Sequence, residues 1–245
     1  MNRIITFETL AYFAATTADT VKLPIRGIVL NFTGLGFGSM LSSLDDYTMD
    51  LAQRGILRVI PYYNPWCWMN RQTVDYVDEI VDVLMEHFGL SEDIPIISTG
   101  GSMGGLCSLT YVAYAKRTPT AVVSNCPVCD LPYHYTERPD LPRTLYSAFG
   151  SYDGTIDEAM RSASPLHLAE ADKMPKIPYY IFHCTEDMAV NKGKHSDRFV
   201  TAMEACGHDV TYIAVEGCGH CELSPEARDR HDALPISLIY GESDI

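Results

Sequence analysis

The segment Gly100-Gly101-Ser102-Met103-Gly104-Gly105 constrains this chain more than any other. It follows the apolar run Ile94-Pro95-Ile96-Ile97-Ser98 and precedes Leu106, Leu109 and Ala113, which recur at near-helical spacing. The pattern predicts a strand, a sharp turn and a helix, with a serine at the turn and glycine two positions away on either side. A serine presented this way takes a strained backbone conformation, and the residues two before and two after it crowd together. Glycine relieves that crowding because it has no Cβ. The hydroxyl is then lifted out of the sheet to the start of a helix, where backbone amides stabilise negative charge. A glycine-rich turn that merely contains a serine is spelled the same way; the strand-to-helix context favours the chemical reading.

Around this turn, strand and helix patterns alternate. Residues 4–10 and 11–16 carry weak strand character, and Gly27-Ile28-Val29-Leu30-Asn31-Phe32 reads as a buried strand ending in Thr33-Gly34-Leu35-Gly36-Phe37-Gly38. Leu41, Leu44, Thr48 and Leu51 mark a helix face that stops near Gly55, and Leu57 to Tyr63 is the next strand. Val74, Val77, Val81, Leu84 and Phe88 form the clearest helical stripe, closed by Gly89 as a C-terminal cap. Further strands fall at 120–124, 179–183 and 210–215, and a helix carrying Phe199, Met203 and Cys206 separates the last two. Ser224-Pro225-Glu226 opens a terminal helix that should break near Pro235. Such alternation predicts an α/β fold with a mostly parallel, doubly wound sheet and helices on both faces. Residues 127–168 are too long for a plain connection and predict a small, mostly helical, cap-like insertion after the sixth strand, over the sheet's C-terminal edge. A surface excursion remote from any substrate is the competing reading. At 245 residues the chain, 1–245, fits one such domain.

Composition removes several partners. A net charge of −14 disfavours nucleic acid and anionic membrane, both of which need clustered Lys and Arg. No run approaches the roughly 18 apolar residues of a membrane span, and the N-terminus has no secretory pattern. Eight cysteines in a chain of this length fit reduced thiols in the cytoplasm better than a disulfide framework. Nothing in the sequence fixes an oligomeric state.

A nucleophilic Ser102 would need a base to take its proton and a carboxylate to orient that base, in the chain order serine, acid, histidine, each at a strand end. The strand at 179–183 runs into Cys184-Thr185-Glu186-Asp187, presenting Asp187 with Glu186 as a neighbouring alternative. The strand at 210–215 runs into Glu216-Gly217-Cys218-Gly219-His220, presenting His220. Alone, Asp187 reads as a turn acid and His220 as a structural or solvated histidine. The joint occurrence of three strand ends in the right order makes the pair informative.

At these residues the chain resembles the α/β-hydrolase superfamily, in particular single-domain esterases and the branch of prolyl oligopeptidase and dienelactone hydrolase. The resemblance rests on Gly100-Gly101-Ser102-Met103-Gly104-Gly105, His183-Cys184-x-x-Asp187-x-x-Val190, Gly217-x-Gly219-His220 and Ser164-Pro165-Leu166. It implies Ser102 as nucleophile, Asp187 as orienting acid, His220 as general base, and a small-molecule ester substrate with no metal or organic cofactor. The Met103 amide would donate to an oxyanion, with a second donor at Leu35, the x position of relatives that carry His-Gly-x-Gly. Here Thr33 replaces that histidine, and Phe32 stands near where oligopeptidase relatives place a tyrosine. This departure, the lack of an acid pair for a free amine and of a long N-terminal gating segment place an amide or short-peptide hydrolase second to a carboxylesterase. The loop also fails the G-x-G-x-x-G pattern of dinucleotide sites.

Two further features stand outside that scheme. Tyr63, Trp66, Trp68 and Tyr133 are candidates for a substrate pocket, aided by Tyr135, Tyr146 and Phe149, or for packing of the insertion. Cys126-Pro127-Val128-Cys129 and Cys218-Gly219-His220-Cys221 suggest a thiol or zinc protein as a remote alternative. The two loops are expected to flank another strand and lie too far apart to share a metal.

Overall fold

Alternate residues of the central strands enter different apolar clusters, and this fixes the layering. Ile28 and Leu30 join one cluster with Val74, Val77 and Leu106, whereas Val29 between them joins another with Ile97, Val123 and Leu234. Ile181 and Phe182 divide in the same way. Side chains that alternate across a strand and are apolar on both sides require a sheet covered on both faces. Each fully buried Val, Leu or Ile contributes about 1.5–3 kcal/mol relative to leaving it exposed.

The computed structural model describes residues 5–36 and 45–242. The strands are β1 (Ala14–Thr16), β2 (Gly27–Phe32), β3 (Ile56–Pro61), β4 (Ile96–Gly101), β5 (Ala121–Asn125), β6 (Tyr179–Cys184) and β7 (Val210–Val215). They form one sheet in the order β1-β3-β2-β4-β5-β6-β7, with β1 antiparallel to β3 and every other pairing parallel. The helices are α1 (Asp46–Gln53), α2 (Arg71–Phe88), α3 (Met103–Tyr114), α4 (Leu131–Glu137), α5 (Leu141–Phe149), α6 (Ile156–Ser162), α7 (Pro165–Glu170), α8 (Ser196–Ala205) and α9 (Pro225–Tyr240). This is the α/β-hydrolase arrangement.

Local signals explain most boundaries. The Asn70 side chain accepts from the Thr73 amide to cap α2, and Gly89 ends that helix in the left-handed region at φ 58°. Ser224 caps α9, with Pro225 in its first turn. From β2 the chain goes to β3 on one side and, by way of α2, to β4 on the other. The carboxyl ends of β2 and β4 therefore flank a switch point, where open α/β sheets bind ligands.

Three expectations need correction. Phe7–Tyr12 is a 3₁₀ helix, not a strand, because Phe7 stacks on His87 and Leu10 turns into the core. The helical insertion consequently follows the fifth strand, not the sixth. The terminal helix does not break at Pro235, since burial of Leu234, Pro235, Ser237 and Ile239 against the sheet outweighs the missing hydrogen bond. Leu41 and Leu44 lie outside the described residues. No described helix is long and apolar enough to cross a membrane.

Candidate active site

Ser102 caps α3 with φ 59° and ψ −124°, a conformation most L residues avoid. Its surroundings explain why the chain holds it there. A Cβ on Gly104 would overlap the Phe32 carbonyl, and one on Gly100 the Gly104 carbonyl, so only glycine lets α3 approach β2 and β4 this closely. The Ser102 amide donates to the Asn125 carbonyl at 3.0 Å, which ties the turn to the end of β5. From Met103 to Val112 every residue of α3 is buried, so the turn stands on a rigid support.

Asp187 and His220 meet beyond the ends of β6 and β7. Asp187 Oδ1 accepts from the amides of Ala189 and Val190 at 2.8 and 2.9 Å, and Oδ2 accepts from His220 Nδ1 at 2.7 Å. His183 packs behind, with Nε2 donating to the Val190 carbonyl at 3.1 Å and lying 3.4 Å from Asp187 Oδ2. Burial pushes the Asp187 carboxyl up, but the hydrogen bonds from His183 and His220 overcome it and hold the group far below the usual carboxylate range. For His220, burial works to lower the imidazolium, yet the Asp187 hydrogen bond and the neighbouring Cys126 thiol hold it up to about 9. Glu186, the alternative acid, is exposed, and its amide bonds the Cys218 carbonyl.

Ser102 and His220 line the same cleft, whose volume is about 470 Å³. Gly34, Leu35, Trp68, His134, Arg138 and Cys221 share its walls. His220 Nε2 rests 3.7 Å from Cys221 Sγ, and no hydrogen bond joins it to Ser102 among the described residues. Sites of this kind often tighten only around substrate.

A model of the prolyl oligopeptidase family matches residues 68–236, well over half of the chain and inclusive of Ser102, Asp187 and His220. The chain belongs to the prolyl oligopeptidase family. No curated protein matches it. Among solved structures it is similar to a Mycobacterium tuberculosis puromycin-hydrolyzing peptidase, with a TM-score of 0.72 and 18% identity over 90% of this chain and 34% of that one. A Pyrococcus horikoshii acylaminoacyl peptidase gives a TM-score of 0.71 and 15% identity over 92% of this chain and 39% of that one. An esterase from Thermogutta terrifontis gives 0.66 and 19% identity, over 93% of this chain and 86% of that one. The chain thus spans little more than a third of the two peptidases but most of the esterase.

Within this family member, the loop after β2 is braced by a tyrosine. Tyr63 Oη accepts from the Thr33 amide at 2.5 Å and donates to the Thr33 carbonyl at 3.0 Å, which sets the loop that carries Leu35 into the cleft. The Gly36 amide is taken by the Pro65 carbonyl at 2.8 Å. Phe37 and Gly38 lie outside the described residues. Of the four aromatic candidates, only Trp68 lines the cleft beside Ser102; Tyr63, Trp66 and Tyr133 do not. Trp66 Nε1 donates to Ser147 at 3.1 Å and Tyr133 packs edge-on to His195, so both serve to seat the insertion.

Asn125 escaped the sequence reading. The Asn125 side chain donates to the Cys221 carbonyl at 3.3 Å while its own carbonyl holds the Ser102 amide, so one residue links both loops. The expected separation of the two C-x-x-C loops is wrong in part. Cys126, His220 and Cys221 bring their ligand atoms within 4.8 Å of one another. Cys129 is buried elsewhere, with its amide bonded to His195, and Cys218 is outside the cluster, so the two motifs do not make a four-thiolate set. Hydrogen bonding from Cys221, against the opposing effect of burial, lowers the Cys126 thiol to about 4.

A second group, His134, Glu137 and His195, has metal-like proximity but different chemistry. His195 Nδ1 accepts from the amides of Cys129 and Asp130 at 3.0 and 3.1 Å. Its Nε2 therefore carries the proton and donates to Glu137 at 2.8 Å, so a hydrogen bond occupies the place of a metal bond.

Proposed function

We propose that this protein is a serine esterase, with 127–168 as a cap-like insertion of a single catalytic domain. The observation that carries the reading is the placement of Ser102 and His220 on one cleft, with a buried Asp187 bonded to the far nitrogen of the imidazole. A rotation of His220 from Cys221 toward Ser102 puts Nε2 where it can take the hydroxyl proton. Ser102 then attacks the ester carbonyl, and the amides of Met103 and Leu35 hold the oxyanion, each worth about 2.7–4 kcal/mol of barrier. His220 returns the proton to the leaving alcohol, then activates the water that releases the acid. No step of this sequence calls for a cofactor, and reduced thiols suit a cytoplasmic setting.

Ester is favoured over amide by the cleft itself. Among the described residues that line it, the one permanent charge is Arg138, and no carboxylate is positioned to pair with a free amine. The similarity to two peptidases supports amide or short-peptide hydrolysis as the second reading. A fluorophosphonate probe is expected to label the wild type and not Ser102→Ala, with turnover of chromogenic esters falling by roughly 10⁴-fold or more. Equal rates in the two proteins would overturn the mechanism, and faster turnover of aminoacyl amides than of esters would favour the second reading.

A further inference from the structure

Beside the imidazole of His220 lie two thiols that hydrolysis does not use. Cys126 and Cys221 both sit at positive φ, 46° and 59°, a conformation that turns the ends of their loops toward each other across the end of β6. Their sulfurs and a ring nitrogen of His220 fall within 4.8 Å of one another, with His220 Nε2 at 3.7 Å from Cys221 Sγ. In a tetrahedral zinc site, sulfur ligands at about 2.3 Å and nitrogen at about 2.0–2.1 Å from the metal stand roughly 3.5–3.8 Å apart. The observed cluster needs only a slight contraction to meet that figure.

We propose that Cys126, Cys221 and His220 Nε2 form a site for a soft divalent cation such as Zn²⁺, whose occupancy withdraws His220 from Ser102. Supporting contacts are of the kind such ligands need. His220 Nδ1 is bonded to Asp187, the carboxylate–histidine arrangement that orients an imidazole toward a metal. The Cys184 amide donates to Cys126 Sγ at 3.4 Å, a bond that stabilises a thiolate. His220 and Cys221 also face the cleft, which provides an entry path and room for a water as fourth ligand. On binding, each thiol that is still protonated releases its proton to solvent, and no electrons are transferred.

Inhibition rests on the proposed role of His220; the binding site does not, so the two are tested separately. Reduced protein is titrated with Co²⁺, whose thiolate-to-metal charge-transfer absorption reports sulfur ligation directly. The band is expected in the wild type and in Ser102→Ala at one ion per chain, and absent from Cys126→Ala and from Cys221→Ser. Circular dichroism identifies a variant that has not folded, and the other thiol variant then decides. No band in the wild type, or a band retained in both thiol variants, overturns the site. In a second arm, Zn²⁺ is expected to slow fluorophosphonate labelling, EDTA to restore it, and Cys221→Ser to need about tenfold more Zn²⁺ for the same effect. Unchanged sensitivity overturns the inhibitory role. Failure of the metal-free wild type to label at all would instead sink the esterase reading and leave the cobalt result standing.

Discussion

His220 has two sets of neighbours, and its protonation shows which prevails at rest. A general base must be neutral to accept a proton, yet Asp187 and Cys126 hold this imidazole up to about 9. The expected pH profile of kcat/KM for a neutral ester therefore rises through the neutral range, has its midpoint near pH 9 and levels off only above it. Cys126→Ser removes the thiol's share, so the midpoint should move toward the ordinary histidine value of about 6.5. A midpoint already at the ordinary value in the wild type would show that the thiol and carboxylate do not govern the base. Ser102 and His220 were legible because each follows a strand beside glycine, and Asp187 because it follows a strand that lies between them in chain order. The thiol cluster was not, because nothing in two separate C-x-x-C pairs signals that one cysteine from each turns inward at positive φ while the other turns away.

At the scale of elements, α3 and the insertion position the cleft by different means. The approach of α3 to β2 depends on Gly104, so Gly104→Ala is expected to destabilise the fold by about 1–3 kcal/mol through overpacking against the Phe32 carbonyl. Urea denaturation reads that loss, and slower fluorophosphonate labelling of the surviving folded fraction would show the displacement of Ser102. The insertion is held by Glu137, which joins His134 on α4 to His195 at the start of α8. Burial would raise the Glu137 carboxyl, but the bonds from His134 and His195 lower it to about 2. Its folded form binds a proton more weakly than the unfolded chain does, so its stabilisation is complete above pH about 4.5 and drains away as the pH falls toward 2. Stepped-pH urea curves should show that acid slope in the wild type and a shallower one in Glu137→Gln. Helix α2 was readable from its apolar stripe and glycine cap. By contrast, the path of α9 through Pro235 is decided by burial against the sheet, which no local spacing reveals.

For the whole molecule, the doubly covered sheet leaves few thiols open to reagents. Cys67, Cys107, Cys126, Cys129 and Cys184 are buried, whereas Cys206, Cys218 and Cys221 are partly accessible, and all eight are unpaired. A chromogenic disulfide reagent is expected to titrate no more than these three in the native protein and all eight after denaturation. Rapid reaction of more than three would mean that the core opens more readily than its packing implies. Layer order and fold class were evident from alternating strand and helix patterns. The 3₁₀ segment at Phe7–Tyr12 was hidden, since its conformation follows from contacts with α2.

The bond between Asn125 and its two neighbouring loops has a bearing on how the molecule matures. β5 is flanked by the strand that delivers the hydroxyl and the strand that delivers the carboxylate, and the imidazole loop reaches it only across the sheet. A chain could acquire every helix and still lack turnover until that central strand has locked both sides together. In the proposed mechanism, activity therefore waits on the placement of β5.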